Sequence, residues 1–299
     1  MAKSAFVAVI GRPSVGKSSL VNLVCGRKLA IVSTYPQTTR NAVRGILTRT
    51  QGQLVFVDTP GRHISEKKFN KKLMDVSEKA LEDCDLILYV LDASRLPGEE
   101  EEAVASQLAQ NQNRLAAAIN KTDANGADPK KIISFLEEKL PLLTPSRRFE
   151  TSCVKNEGIT PLIDCLFNMA PEGEALYPEE LYTDQELSFR ISEIIREKAM
   201  VRLREELPHS IYVEVADIEL KEDPETGKKR LWVRAFIITE RESQKGMIVG
   251  KGGEMIKAIG QAARKEINSI LDWKLDLDLR VKTGKDWRHN DRVLKKIIN

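Results

Sequence analysis

Three short stretches carry side chains whose types and spacing suit chemistry on a nucleoside triphosphate. In Gly11-Arg12-Pro13-Ser14-Val15-Gly16-Lys17-Ser18 the glycines let backbone N–H groups turn toward anionic oxygens, and a lysine and a hydroxyl follow at once. Lys17 is placed to reach β- and γ-phosphates, while the Ser18 hydroxyl, with Ser19 beside it, suits a Mg2+ position. Asp58-Thr59-Pro60-Gly61 offers a carboxylate that can hold the same cation through water and a glycine whose N–H can meet the terminal phosphate. Asn120-Lys121-Thr122-Asp123 offers a carboxylate able to accept both N1–H and N2–H of guanine, an edge that adenine lacks. Asn120 would tie the base edge to the loop, and the Lys121 stem would pack on the base plane. A buried carboxylate facing adenine without donors is costly, and this selects GTP.

These motifs together are those of a P-loop GTPase, so the remaining parts can be sought in chain order. Gln37-Thr38-Thr39-Arg40 reads as the first switch, with Thr39 the better candidate for the second protein ligand of Mg2+ and Thr38 the reserve. Thr151-Ser152-Cys153 reads as the loop supporting guanine from behind, with Cys where Ala is usual. After Gly61 stands Arg62, then His63, where many GTPases place a Gln that orients the attacking water. Slow intrinsic turnover is therefore expected. Arg62 is either an internal arginine finger or a solvent-facing partner contact. Candidate catalytic residues are Lys17, Thr39, Gly61 and Arg62.

A second glycine cluster, Val249-Gly250-Lys251-Gly252-Gly253, fails as a nucleotide cradle because no hydroxyl follows its lysine and no acidic strand end follows at a suitable distance. It fits G-x-x-G, with Gly250 and Gly253 bracketing Lys251 and Gly252, the clamp that lets a nucleic-acid backbone approach closely. Lys245, Lys251 and Lys257 are near enough to neutralise phosphates, and bases would lie along a groove between the following helix and the strand 231–238. The alternative is an ordinary tight turn.

The elements that must position these residues follow from periodicity. Apolar runs Ala5–Ile10, Leu54–Val57, Leu86–Leu91 and Leu115–Ile119 alternate with helical patterns, which implies a parallel sheet covered by helices. Leu115-Ala-Ala-Ala-Ile119 is alanine-rich, yet its length suits a short buried strand. Pro, Gly and acidic residues break every period from 171 to 184, giving a first domain over 1–170, a linker over 171–184 and a second domain over 185–299. The second domain reads helix, strand, turn (Asp223–Gly227), strand, glycine cluster, helix, strand, with Ile256, Ile259, Ala263, Ile267 and Ile270 on one helical face. Its tail, 282–298, is basic with one aromatic, Trp287, and reads as an extension of a phosphate-contacting surface or a solvated terminal helix.

Composition bounds the rest. The 299 residues are 41% hydrophobic and 30% charged with a net charge of +3, so nucleic-acid contact must come from a local patch. The four scattered cysteines form no Cys-x-x-Cys pair, which argues against zinc and redox motifs and suits a reducing cytoplasm. No apolar run reaches membrane-spanning length.

With QTTR, DTPG and NKTD ahead of a G-x-x-G domain, and with Ser192-Glu-Ile-Ile-Arg-Glu-Lys198 and Glu206-Leu-Pro-His-Ser210, essentially the whole chain resembles the Era-like family of bacterial ribosome-assembly GTPases. The resemblance implies an α/β GTPase domain, with a mostly parallel six-stranded sheet and helices on both faces, followed by an α+β type II KH domain. It also implies binding and hydrolysis of GTP to GDP with Mg2+, and binding of the 3′ end of 16S rRNA around a single-stranded CCUCC segment. The implied role is in maturation of the small (30S) subunit, by a cytoplasmic monomer that contacts the inner membrane peripherally. Family members typically carry Asn where this chain has Ser14, a position linked in related GTPases to K+; a hydroxyl has less reach, which weakens the expectation of potassium stimulation. They also usually carry a bulky apolar residue at Arg62. Two readings stand: a GTP-driven switch controlling RNA binding, or a constitutive RNA binder whose nucleotide is a structural ligand.

Overall fold

The computed structural model describes residues 2–33, 35, 38–61, 68–205, 207–222, 227, 229–271 and 273–298. The chain divides into two compact units, one ending at Asp184 and the other spanning Gln185–Ile297.

The first unit is built on six strands: β1 (Lys3–Ile10), β2 (Val43–Arg49), β3 (Gly52–Asp58), β4 (Leu86–Asp92), β5 (Leu115–Asn120) and β6 (Arg148–Glu150). They lie in the order β2-β3-β1-β4-β5-β6, all pairs parallel except β2 with β3. Every residue of β4 and β5 is buried, as continuous apolar strands must be when both faces are covered. Ile87, Tyr89 and Leu91 share one core with helices α2 (Lys68–Asp83), α3 (Glu99–Leu108) and α4 (Pro129–Lys139). Residues of opposite parity, such as Val7, Val9, Leu88 and Val90, are equally buried, and α1 (Lys17–Val24) and α5 (Ile159–Met169) contact the sheet as well. The alanines of β5 overcome their helical preference because small side chains fit a central strand between two helix layers.

One strand of this sheet, β2, escapes the sequence reading: its alternation is broken by Gly45, where a Cβ would lie 2.8 to 2.9 Å from Leu29, Cys25 and Val21. Strand β6, directly before Thr151, has only three residues.

Residues 171–184, expected as a linker, hold no helix or long strand but are fastened to the first unit. Buried Gln53 accepts N–H bonds from Leu176 and Tyr177 and donates to the Tyr177 carbonyl. Beyond it Ile46 N–H donates to the Tyr182 carbonyl, Thr183 Oγ1 to the Arg44 carbonyl, and Arg44 pairs with Asp184 at 2.7 Å.

The second unit runs α6 (Leu187–Arg202), β7 (Ile211–Glu222), β8 (Lys229–Thr239), α7 (Glu242–Val249), α8 (Glu254–Ile270), β9 (Lys274–Thr283) and α9 (Asp291–Ile297). Central β8 pairs antiparallel with β7 and parallel with β9. Leu231, Val233, Ala235 and Ile237 of β8 form one core with Ile191 and Ile195 of α6 and Ile259, Ala263 and Ile267 of α8.

The tail reading is corrected here. Trp287 is 1% exposed, donates its indole N–H to the Ser210 carbonyl and meets Tyr212 edge-on at 5.1 Å, so it is a core residue. Leu294 is fully buried, and α9 is therefore packed, not a solvated helix. The expected turn 223–227 and Glu206 lie, apart from Gly227, outside the described residues.

Candidate nucleotide site and candidate nucleic-acid loop

Strands β1, β3, β4 and β5 run parallel, so their carboxyl ends open on one edge, and each carries a motif there: Gly11–Ser18 after β1, Asp58 on β3, Asp92 on β4 and Asn120 on β5. Pro13, Ser14, Gly16, Lys17, Ser18, Ser19, Thr38, Thr39, Gly61 and Lys121 line a cavity of about 370 Å3 at that edge. Its other lining residues include Ile31, Val32, Ser33, Tyr35 and Arg95.

Around the loop Lys17 is 6% exposed, and its ammonium donates to the carbonyls of Gly11 at 2.9 Å and Arg12 at 3.0 Å. Burial lowers its pKa to about 8 against the opposing pull of Asp58 and Glu101. Asp58 is fully buried, and burial raises it to about 6 against Lys17 and the hydroxyls of Ser18 and Thr39. Ser18 Oγ donates to Asp58 Oδ2 at 2.6 Å and lies 2.9 Å from Thr39 Oγ1, which is itself 3.4 Å from the same carboxylate oxygen. Two hydroxyls and one carboxylate thus converge, and Asp58 Oδ1 is buried with no hydrogen-bond partner. This all-oxygen set fits Mg2+, which keeps several waters and takes few protein ligands. Thr38, the reserve ligand, instead donates to the Tyr35 carbonyl at 2.7 Å and bonds Ser33 Oγ. Thr59 is fully buried with its hydroxyl on the Val9 carbonyl, and the Pro60 carbonyl accepts from Ser77, so both side chains shape the turn from behind.

The base loop is wired to the phosphate loop. Asn120 Nδ2 donates to the Val15 carbonyl at 2.9 Å, and its Oδ1 accepts from Thr151 Oγ1, Cys153 N–H and the Cys153 thiol at 3.3 to 3.4 Å. Gly16 must be glycine: its φ is 103°, and a Cβ would lie 2.3 Å from Asn120 Nδ2. Lys121, at φ 64°, donates to the Ser14 carbonyl and pairs with Asp92, each at 2.7 Å. Asp123 accepts from Ser152 Oγ at 2.5 Å, and Thr122 donates to the Thr151 carbonyl. Burial pushes the Cys153 thiol up to about 11, so it acts as a weak donor. Gln37, Arg62 and His63, with the finger reading of Arg62, lie outside the described residues.

Sequence reading missed Asp92, Glu101 and Arg95. Asp92 ends β4 as Asp58 ends β3, a signal that was present. Glu101 sits within an acidic run that looks solvated yet is 2% exposed and pairs with Arg12 at 2.9 Å.

The second glycine loop is of another kind. Gly250, Gly252 and Gly253 have φ of 74°, 61° and 82°, and a Cβ on Gly252 or Gly253 would meet nothing within 4 Å. Lys251 and Lys257 are exposed and, among the described residues, in no ion pair; Lys245 pairs with Glu242 at 3.2 Å. On the strand expected to wall a groove with α8, the residues Leu231, Val233, Ala235 and Ile237 are buried in the core that α8 shares. The apolar surface beside the loop is Met247, 60% exposed.

Comparison with known proteins accords with this geometry. A family model for 50S ribosome-binding GTPases matches residues 6–121, and one for KH domains matches residues 206–288. The fold and sites thus define a P-loop GTPase joined to a KH domain. The chain is 47% identical over 98% of its length to GTPase Era of Treponema denticola, covering 99% of that protein, and 44% identical over 99% to GTPase Era of Borreliella burgdorferi, covering 100%. An Era variant from Aquifex aeolicus bound to GDP·AlF4− superposes with a TM-score of 0.92 at 33% identity, over 99% of this chain and 98% of that one. Era in complex with MgGDPNP and nucleotides 1506–1542 of 16S ribosomal RNA gives the same TM-score and identity over 99% of each chain. The chain belongs to the Era family of GTPases. Among the described residues no helix is long and apolar enough to cross a membrane.

Proposed function

We propose that this protein is a GTP-hydrolysing switch whose nucleotide state governs binding of its KH domain to the 3′ end of 16S rRNA during maturation of the small ribosomal subunit. The observation that carries the reading is the wiring of Asn120 to Val15 and of Lys121 to Ser14, which joins base recognition to the phosphate loop in one rigid unit. An Era relative is known bound to MgGDPNP and a 16S segment, and this chain superposes on it along its length.

In this reading Asp123, steadied by Ser152, accepts from guanine N1–H and N2–H. Loop N–H groups and Lys17 face the phosphates and offset charge developing on the β–γ bridging and terminal oxygens. Ser18, Thr39 and, through water, Asp58 would hold Mg2+, which would supply neutralisation of phosphate charge. With Arg62 after Gly61, intrinsic turnover is slow, and Ser14 leaves little potassium stimulation. In the KH domain the open glycines admit a strand's phosphates, with Lys245, Lys251 and Lys257 as counter-charges.

The test is binding of a 16S 3′-terminal oligonucleotide, with and without its CCUCC, in GTP-analogue and GDP states. Tighter binding in one state and loss without CCUCC are expected. Equal affinities in both states would favour the constitutive RNA binder. Gly250→Asp with Lys251→Asp should abolish RNA binding and leave GTP binding intact.

A further inference from the structure

The phosphate loop is gripped residue by residue from different elements. Gly11 lies against the Val90 carbonyl of β4, where a Cβ would come within 2.3 Å. Ser14 and Val15 accept from Lys121 and Asn120 beyond β5. Between them Arg12 extends toward α3, and its Nε stands 2.9 Å from Glu101 Oε1, the two side chains 12% and 2% exposed. Arg12 also presents one of the two carbonyls on which the Lys17 ammonium rests.

Glu101 is not an ordinary member of its acidic run. The run Glu99-Glu100-Glu101-Glu102 opens α3, where carboxylates suit the helix dipole, but only Glu101 of the four is buried. Burial raises the Glu101 carboxyl to about 7 against the opposing pull of Arg12, the cation it meets at 2.9 Å. The contact is not a well-directed hydrogen bond, since neither Arg12 Nε nor either carboxylate oxygen of Glu101 has a hydrogen-bond partner. A pair this poorly satisfied is weak support for stability, and its placement suggests another use.

We propose that Glu101 is a positioning residue for the nucleotide phosphates: acting through Arg12, it fixes the turn whose carbonyls seat Lys17. The proposal rests on the GTP-site reading above. Without the Glu101 charge the Arg12 side chain can swing to solvent, the Gly11–Arg12 turn relaxes, and Lys17 loses its set position over the phosphates. The base loop reaches the phosphate loop through Asn120 and Lys121 and stays where it is. The predicted consequence is specific to phosphates, not to guanine.

The test compares wild type, Glu101→Gln and the apolar double variant Arg12→Met with Glu101→Leu. Each is measured for GDP and GTP affinity by fluorescent-nucleotide titration, for guanosine binding by ligand-observed NMR, and for thermal unfolding. Glu101→Gln is expected to weaken GTP binding roughly tenfold while guanosine binding stays unchanged. The apolar pair should unfold at or above the wild-type temperature and still bind GTP about tenfold more weakly. If the apolar pair restores GTP affinity, or if both variants lose guanosine and GTP in equal proportion, Glu101 is only a packing residue and the proposal is overturned. If wild type itself fails to bind GTP, the site reading fails, an outcome distinct from failure of the Glu101 proposal.

Discussion

Two glycine loops in one chain meet the same chemical problem, bringing a backbone to a phosphate, and solve it in opposite ways. In residues 11–18 the side chains and carbonyls are already committed: Lys17 is buried on its own loop's carbonyls, Val15 and Ser14 are bonded from the base loop, and Gly16 has no room for a methyl group. In residues 250–253 Gly252 and Gly253 face open space, and Lys251 is exposed and, among the described residues, in no ion pair. The first arrangement is preorganised for one rigid ligand. The second leaves space for a flexible strand to approach, and its lysine supplies charge without a fixed direction.

The strongest test of that contrast is to delete the lysine of each loop. Lys17→Ala should weaken GTP binding by roughly a hundredfold or more, because a preorganised donor in a dry site is lost, and should leave RNA affinity in the GDP-free protein unchanged. Lys251→Ala should cost RNA binding only about as much as one phosphate contact. Isothermal titration with GTP and with the oligonucleotide reads both effects. Equal losses in the two loops would break the comparison.

A methyl group added to each loop is a finer test. Gly16→Ala meets Asn120 Nδ2 at 2.3 Å and sits at φ 103°, so it should separate the two loops and lower GTP affinity by roughly tenfold. Gly252→Ala meets no atom, and only its φ of 61° opposes it, at about 1 kcal/mol. Its melting temperature should fall by a few degrees at most. Thermal unfolding of the second unit and GTP titration separate the two outcomes.

How much of this was legible in the sequence depends on whether a signal is local. Glycine, lysine and hydroxyl at fixed spacing mark the phosphate loop, and Asn120 to Asp123 mark the base loop, because each chemistry needs contiguous residues. In the first unit the apolar runs located β1, β3, β4 and even the alanine-rich β5, since burial on both faces leaves no period to misread. What failed to show was long-range. Glu101 looks like its exposed neighbours until Arg12 is placed against it, 89 positions apart (101 − 12). Gln53 reads as an edge-strand polar residue until 176–177 reach it. Trp287, in a tail read as a phosphate-contacting extension or a solvated helix, is held in the core by Ser210 and Tyr212, which lie 77 and 75 positions away in the chain (287 − 210 and 287 − 212).

The smallest expected effect concerns how charge is used in the open loop. Lys251 and Lys257 are exposed and, among the described residues, in no ion pair, whereas Lys245 is held by Glu242, with Glu242 also bound to Thr283 Oγ1. A lysine already paired with a carboxylate neutralises less phosphate charge and so frees fewer of the RNA's counterions, and the three should differ in the salt dependence of RNA binding. Lys251→Ala and Lys257→Ala should each lower the slope of log K against log salt by about 0.7, the single-strand value per phosphate. Lys245→Ala should change it by less, because a lysine paired with Glu242 neutralises less of the strand's phosphate charge to begin with. A salt titration of the three variants decides the matter. An equal drop for Lys245 would mean that its pair with Glu242 opens on binding, and the loop's free charge would then extend one helical turn further along α7.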